Sequence, residues 1–157
     1  MTHIRPATRA DVATILEFIR GLAEYEKMLH EVKITEADIA EALFGPSPKV
    51  FCDMAEANGM AVGYALWFYN FSTFEGGHGL YLEDIYVAPE ARGTGAGLAL
   101  MRHLARRCRD EGLRRLEWQV LDWNSVAIGF YDRLGADAEP TWILRRLSGE
   151  ALGKLAA

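Results

Sequence analysis

The sequence predicts an α+β fold, with a mixed and mostly antiparallel central sheet flanked by helices. An Asn58-Gly59 pair lies between two apolar stretches, and this dipeptide is typical of a two-residue hairpin turn. Later in the chain a strand, a long helix and another strand follow one another, which is the order of a parallel crossover. Because strands and helices do not alternate throughout, the order does not fit a doubly wound α/β fold.

The first half of the chain predicts a short strand, two helices and a long hairpin. Thr8 and Asp11, and again Thr35 and Asp38, have the spacing of a capping box, so each pair predicts the start of a helix. Apolar residues recur at helical spacing behind the first pair and reach Tyr25. The predicted elements are a strand at His3–Arg5, a helix from Val12 to Tyr25, a helix from Thr35 to just before Gly45, and strands at Val50–Ala57 and Met60–Phe71.

Glycine and proline residues mark the ends of helices and strands in the second half of the chain. Pro89 ends a strand, and Gly112 ends the long helix that follows it. Asn124 is a favourable N-cap and Gly135 a favourable C-terminal cap, so they enclose a shorter helix. The predicted elements are a glycine-rich loop at Ser72–His78, a strand at Leu80–Val87, a helix at Thr94–Glu111, a strand at Arg114–Val120, a helix at Ser125–Leu134, a strand at Trp142–Leu147 and a helical tail.

Length and composition predict a single domain, residues 1–157. Half of the 157 residues are hydrophobic and 25% are charged, as in ordinary globular proteins. No apolar stretch is long enough to span a membrane, and the N-terminus lacks the apolar core of a signal peptide. The two cysteines, Cys52 and Cys108, lack metal-ligand spacing and favour a reducing compartment, the cytoplasm. A net charge of −5 disfavours general binding to nucleic acid.

Charge is unevenly distributed along this acidic chain. Seven arginines lie between Arg92 and Arg115, against only Asp110 and Glu111, so this segment has a local charge of +5. The pattern predicts either a site for an anionic ligand or a solvated helix face. An acidic stretch at 24–41 has the two corresponding interpretations: attraction of a cationic substrate, or ordinary helix and loop surface.

The most informative segment is a glycine-rich loop between a predicted strand and a predicted helix, Arg92-Gly93-Thr94-Gly95-Ala96-Gly97. Glycines let backbone N–H groups approach a phosphate closely, and a helix N-terminus adds positive partial charge. A close-packed strand-to-helix turn is the alternative that needs no ligand. The loop lacks the lysine of a P-loop, and the last position of a dinucleotide fingerprint falls on leucine. ATP and NAD are therefore poor candidates for the ligand.

The Arg-x-x-Gly-x-Gly pattern, after a strand and Val-x-Pro, resembles the acyl-CoA pyrophosphate loop of the GNAT superfamily of N-acetyltransferases. The predicted order of elements is similar to that family's over the whole chain. The closer resemblance is to its diamine acetyltransferase branch (spermidine/spermine and thialysine N-acetyltransferases). Four segments carry it: 4–8, 22–26, 81–87, and Trp123-Asn124 followed by Phe130-Tyr131. The resemblance implies the acyl-CoA N-acyltransferase fold and acetyl-CoA as co-substrate.

Acetyl transfer from a thioester to an amine makes three chemical demands. An alkylammonium has an ordinary pKa of about 10, so a base must remove a proton. The developing oxyanion needs a hydrogen-bond donor, and the departing thiolate benefits from a proton. From the residues alone, Tyr131 is either a phenol that donates this proton or an aromatic side chain packed beside Phe130. Glu83 and Asp84 are either functional carboxylates on opposite faces of their strand or two solvated residues of an edge strand.

The resemblance implies a role for each of these residues. Tyr131 matches the general acid, and Glu83 matches a base that contacts the substrate and acts directly or through water. Asp84 matches a residue that holds the substrate cation, and Tyr25 and Glu26 match further substrate-contact positions. The residues implied to hold acetyl-CoA are Ile85, Tyr86, Val87, Arg92, Gly93, Thr94, Gly95, Ala96, Gly97, Leu98, Asn124 and Tyr131. No metal is expected, because the four histidines show no ligand spacing.

One segment departs from the polyamine enzymes of this branch. After Gly135-Ala136 those enzymes carry a longer and more acidic segment, whereas Glu139 is the only acid just ahead of Trp142 in this chain. The departure leaves open a smaller diamine, a lysine-like amino acid or another primary amine as the acceptor, beside spermidine and spermine.

The leading hypothesis is an acetyl-CoA-dependent N-acetyltransferase that acetylates a primary amine of a small cationic acceptor by direct attack in a ternary complex. The resemblance also implies a homodimer. The alternative is a non-catalytic acyl-CoA-binding regulatory module, which the joint presence of Glu83, Tyr131 and Asn124 disfavours. A nucleotide-binding protein is a third hypothesis, disfavoured by the failed fingerprints.

Overall fold

The computed structural model describes all 157 residues, from Met1 to Ala157. The chain forms two compact units, Met1–Gln119 and Val120–Ala157. The first unit contains a five-stranded sheet and three helices, and the second contains two helices. None of the helices is both long and apolar enough to cross a bilayer.

The sheet of the first unit follows chain order. Its strands are β1 (His3–Pro6), β2 (Phe51–Ala57), β3 (Met60–Ser72), β4 (Gly77–Val87) and β5 (Leu116–Glu117). Its helices are α1 (Val12–Tyr25), α2 (Glu36–Phe44) and α3 (Ala96–Glu111). The first four strands are antiparallel, and β5 runs parallel to β4. The predicted mixed, mostly antiparallel sheet is therefore confirmed.

Local side-chain chemistry explains where the early elements begin and turn. At α2 the Asp38 backbone N–H donates to the Thr35 hydroxyl over 3.2 Å, and the Thr35 N–H donates to the Asp38 carboxylate over 2.9 Å. This reciprocal pair satisfies N–H groups that a helix start leaves without partners. In the β2–β3 turn, Asn58 and Gly59 both have positive φ, 54° and 77°, which matches the twist of a two-residue hairpin.

The two faces of the sheet pack against different helices. On one face α1 and α2 enclose an apolar cluster that includes the fully buried Ile15, Met54 and Tyr64. Because side chains alternate along a strand, Asp53 points to the other face, toward α3. There the Trp67 indole N–H donates to the Asp53 carboxylate over 2.8 Å, so this buried carboxylate has a hydrogen-bond donor.

The second unit contains α4 (Ser125–Arg133) and α5 (Gly149–Leu155). The predicted N-cap is confirmed, since the Asn124 side-chain oxygen accepts a hydrogen bond from the Ala127 N–H over 3.2 Å. Gly135 follows α4 with a φ of +79°, and the Ala136 N–H donates to the Tyr131 carbonyl. A left-handed glycine with such a bond is a common way to end a helix.

The prediction of a final strand at Trp142–Leu147 is wrong. This segment has no regular secondary structure, and Ile143 and Leu144 are 78% and 61% exposed. The consecutive large apolar residues Trp142, Ile143 and Leu144 favour a strand, but a strand also needs a partner backbone to pair with, which no sequence pattern supplies. The predicted strand at Arg114–Val120 shortens to β5 for the same reason, because only Leu116 and Glu117 pair with β4.

Candidate active site

The predicted acidic pair lies on a bulge of β4. In the register with β3, Leu66 lies opposite Asp84 and Trp67 lies opposite Leu82, so Glu83 is an extra residue without a cross-strand partner. A bulge of this kind bends the strand and re-aims side chains. The alternation assumed from the sequence is interrupted at Glu83, and no residue pattern signals the interruption.

The second edge of β4 is open beyond the bulge. β5 pairs with β4 only at Leu80 and Tyr81, so the stretch 82–87 has no strand partner on that side. An open strand edge presents backbone N–H and C=O groups that an extended ligand can pair with. The predicted cofactor residues Ile85, Tyr86 and Val87 all lie in this stretch.

Asp84 is held by a buried tyrosine. The hydroxyl of Tyr64, a residue with no exposed surface, donates to Asp84 Oδ2 over 2.9 Å. Burial raises the pKa of Asp84, and the hydrogen bond from Tyr64 lowers it in part. Burial and the nearby Asp84 charge raise the pKa of Tyr64 well above its ordinary value, so the phenol stays protonated and remains a donor. Tyr64 was not among the sequence-predicted site residues, because a tyrosine in an apolar strand is typical of the core.

Two further carboxylates lie near Asp84. The pKa of Glu83 is raised, first by partial burial and then by the charge of Asp84. The pKa of Glu26, at the C-terminal end of α1, is raised by the same two causes in the same order. The three groups therefore share one negative field, which suits a cationic acceptor, and a raised pKa suits a carboxylate that accepts a proton near neutral pH.

Arg92 joins the end of α1 to the end of β4. Its guanidinium carbon lies 5.3 Å from the ring centre of Tyr25 and 5.6 Å from that of Tyr86, and its Nε–H donates to the Val87 carbonyl over 3.0 Å. Such stacking is a favourable cation–π arrangement. Arg92 is exposed, and its remaining N–H groups are of the type that binds anions. Tyr25, predicted to contact the acceptor, and Arg92, predicted to contact the cofactor, are thus in contact.

The glycine loop has the backbone that the sequence predicts. Gly93 and Gly95 have φ values of +77° and +92°, a region that other residues rarely adopt. A Cβ atom at either position would meet no atom within 4 Å, so the loop faces open space. The helix begins at Ala96, two residues after the predicted Thr94, because Gly95 is left-handed and Thr94 bonds its hydroxyl to the Ala91 carbonyl.

The first turn of α3 offers free backbone donors beside this loop. The first helical hydrogen bond runs from the Ala99 N–H to the Gly95 carbonyl. The N–H groups of Ala96, Gly97 and Leu98 therefore precede the helical ladder, and helix starts of this kind are common anion sites. Open space, left-handed glycines and these donors fit the diphosphate of CoA.

The second unit holds the other two predicted residues. Asn124 caps α4, and Tyr131 lies in its last half, partly buried, with its ring centre 5.5 Å from that of Phe130. The predicted site residues therefore fall into two groups. Those in the first unit are Tyr25, Glu26, Glu83, Asp84, Ile85, Tyr86, Val87, Arg92, Gly93, Thr94, Gly95, Ala96, Gly97 and Leu98; those in the second are Asn124 and Tyr131. No group of three or more histidine, cysteine or carboxylate side chains is placed to hold a metal ion.

Comparisons with known proteins identify the family of the chain. A profile of the Acetyltransferase (GNAT) family matches residues 14–136. Thialysine N-epsilon-acetyltransferase of Bos taurus is 42% identical over 98% of this chain and 96% of its own, and the Caenorhabditis elegans protein of the same name is 34% identical over 90% and 89%. L-ornithine N5-acetyltransferase of Arabidopsis thaliana is 29% identical over 96% of this chain and 86% of its own.

Solved structures give the same fold. An integron cassette protein from the mobile metagenome of V. cholerae superimposes with a TM-score of 0.81 at 26% identity, covering 99% of this chain and 97% of its own. The predicted family, fold class and enzyme class are confirmed. The chain belongs to the acetyltransferase (GNAT) family and is an N-acetyltransferase.

Proposed function

We propose that the chain transfers the acetyl group of acetyl-CoA to the side-chain amine of a small lysine-like amino acid. The observation that carries this proposal is the 42% identity to a thialysine acetyltransferase over almost the whole length of both chains. The ornithine acetyltransferase among the relatives supports the same class of acceptor, an amino acid with a terminal ammonium. Diamines and polyamines form the second class, supported by a spermidine/spermine acetyltransferase-like protein of Homo sapiens at 31% identity.

Acetyl-CoA is the proposed acetyl donor, and it supplies the acetyl thioester when bound. The N–H groups of Ala96, Gly97 and Leu98 receive its diphosphate, with Gly93, Thr94 and Gly95 forming the loop and Arg92 adding positive charge. The open edge of β4 at Ile85, Tyr86 and Val87 receives the extended arm. Left-handed glycines in open space beside a helix N-terminus support this assignment.

Glu83 is the proposed base and Asp84 the proposed anchor for the acceptor cation. Glu83 takes one proton from the acceptor ammonium, directly or through water, and frees the nitrogen lone pair to form the C–N bond. Its raised pKa keeps the carboxylate basic enough for this task, and the charges of Asp84 and Glu26 attract the ammonium. Tyr25, beside Glu26 at the end of α1, completes the acceptor side.

Tyr131 is the proposed general acid. As the C–S bond breaks, its hydroxyl gives a proton to the departing sulfur, and the second proton lost by the acceptor nitrogen restores the hydroxyl. Asn124 helps to hold acetyl-CoA. Asn124 and Tyr131 both lie in the second unit, Val120–Ala157. The family match at 14–136, which spans the boundary at Gln119, supports a single domain over residues 1–157.

A homodimer is the proposed assembly. Ile143, Leu144 and Leu147, all more than half exposed, form an apolar stretch in the C-terminal part of the chain. Monomeric proteins seldom leave neighbouring large apolar side chains in water, so a second copy is the proposed cover for this stretch.

The proposed compartment is the cytoplasm. Cys52 and Cys108 are both buried and form no disulfide, as expected of a protein kept in reducing surroundings. Burial raises the pKa of the Cys108 thiol, which lowers its reactivity and agrees with a packing role.

An acceptor screen tests the proposed function. The protein is incubated with acetyl-CoA and, in turn, thialysine, lysine, ornithine, putrescine and spermidine, while free thiol release is followed. We expect release that depends on the amine, with the largest kcat/KM for a lysine-like amino acid. CoA binding without turnover for any amine would instead support the non-catalytic module, and absence of CoA binding would contradict both.

A further inference from the structure

We propose that Tyr64 is a positioning residue for the acceptor: its buried hydroxyl fixes Asp84 so that one carboxylate oxygen faces the substrate ammonium. This inference rests on the proposed function, since it concerns the acceptor side of that site. It adds a residue that was not among the sequence-predicted site residues.

The geometry separates the two oxygens of Asp84. The Tyr64 hydroxyl donates to Oδ2 over 2.9 Å, which leaves Oδ1 for a donor that comes from outside the sheet. Tyr64 cannot swing away easily, because it has no exposed surface and its ring stacks on that of Phe18 at 6.0 Å. A hydrogen bond to an ionised group is stronger than one between neutral groups. The bond therefore orients the Asp84 carboxylate and also lowers its pKa.

The charged surroundings of Asp84 make this bond important. Four titratable groups interact electrostatically with Asp84. They are Cys52 on β2, Glu26 at the end of α1, Tyr64 on β3 and Glu83 on β4 itself. No cation is among these groups, and burial raises the pKa of Asp84. The hydrogen bond from Tyr64 lowers the pKa of Asp84 and so opposes the effect of burial, which favours the ionised carboxylate.

Tyr64→Phe removes the hydroxyl and keeps the ring in the core. A control exists on the same strand: the Tyr69 hydroxyl donates to the carboxylate of Glu111 in α3 over 2.9 Å, so Tyr69→Phe breaks the same kind of bond without touching Asp84. Asp84→Asn and the double variant complete a thermodynamic cycle.

Two measurements test the proposal. The first is the carboxyl ¹³C titration of Asp84 by NMR, assigned with Asp84→Asn, which does not depend on turnover. The expected result is a midpoint at higher pH in Tyr64→Phe and no change in Tyr69→Phe. The second is steady-state kinetics at pH 7, where we expect Tyr64→Phe to raise KM for the amine about tenfold, as for the loss of a hydrogen bond to a charged group. Its kcat and its KM for acetyl-CoA should stay within about twofold of wild type. The double variant should have the same KM for the amine as Asp84→Asn alone.

The results of these experiments distinguish failure of the Tyr64 proposal from failure of the proposed function. An unchanged Asp84 titration in Tyr64→Phe, or an unchanged KM for the amine in an active enzyme, overturns the role of Tyr64. The role of Tyr64 is also overturned if the effects of Tyr64→Phe and Asp84→Asn on KM for the amine are additive in the double variant. If wild-type protein releases no thiol with any amine, the proposed function fails and the acceptor role of Tyr64 fails with it, while the titration still decides whether Tyr64 controls the charge of Asp84.

Discussion

At the residue scale, the hydroxyl of Tyr131 distinguishes a catalytic role from a packing role. Its ring lies beside Phe130, which fits a packing role as well as a catalytic one, so only the oxygen distinguishes the two. We expect Tyr131→Phe to lower kcat by about 10²-fold, within the range for general acid catalysis. Affinity for CoA, measured by calorimetry, should not change. An unaltered kcat would remove Tyr131 from the mechanism and leave it as a packing residue.

Glu83 should control the acidic limb of the pH profile. Burial and the charge of Asp84 raise its pKa, and a base acts only when deprotonated, so wild-type kcat/KM should fall as the pH drops through this raised value. In Glu83→Gln that base is absent, and the free amine must form in solution. Because an alkylammonium loses its proton near pH 10, activity of the variant should be about 10²-fold lower at pH 7 and should increase toward alkaline pH. Identical profiles for the two proteins would show that Glu83 is not the base.

At the scale of elements, the loop between β4 and α3 combines an unusual backbone conformation with the proposed diphosphate site. Gly95 combines a φ of +92°, open space around its Cβ position and a place just ahead of the first turn of α3. An aspartate there adds strain, bulk and a negative charge beside the proposed diphosphate. We expect Gly95→Asp to abolish measurable CoA binding in calorimetry.

Gly59 provides the control for this prediction. It has a φ of +77° and open space around its Cβ position, but it lies in the β2–β3 turn. Gly59→Asp should bear a similar strain and bind CoA normally. Equal loss of binding in both variants would indicate general destabilisation, and normal binding by Gly95→Asp would mean that the diphosphate lies elsewhere.

Elements defined by local signals were predictable, and those that depend on distant partners were not. The capping pair at Thr35 and Asp38, the Asn58-Gly59 turn and the Asn124 cap act within a few residues, and the structure contains each of them. The strand expected at 142–147 depends on a partner backbone, and the bulge at Glu83 depends on the register with β3. The Tyr64–Asp84 contact joins residues 20 positions apart, which no local pattern encodes.

At the scale of the whole molecule, the apolar stretch after α4 predicts association. We expect sedimentation equilibrium to give twice the 17.5 kDa mass of the chain. Leu144→Glu should shift the protein toward monomer, because a charge would be buried in the proposed interface. Leu155→Glu is the matched control, since Leu155 is 72% exposed in α5, outside this stretch. A wild-type mass of one chain at high concentration would contradict the homodimer.

The proposed site places an acidic cluster and the glycine loop, which is the proposed diphosphate site, at the same end of the first unit. Glu26, Glu83 and Asp84 supply negative charge, and Arg92 links the end of α1 to the start of the glycine loop. This division suits two substrates of opposite charge, a cationic amine and an anionic thioester carrier.

The most direct test of acetyl transfer is to follow the acetyl carbon itself. The protein is incubated with [1-¹³C]acetyl-CoA and a lysine-like amino acid, and the product is examined by ¹³C NMR and mass spectrometry. The account predicts one labelled acetyl group on the terminal side-chain nitrogen, formed together with one equivalent of free CoA. Label found only in acetate, or retained in acetyl-CoA, would contradict it.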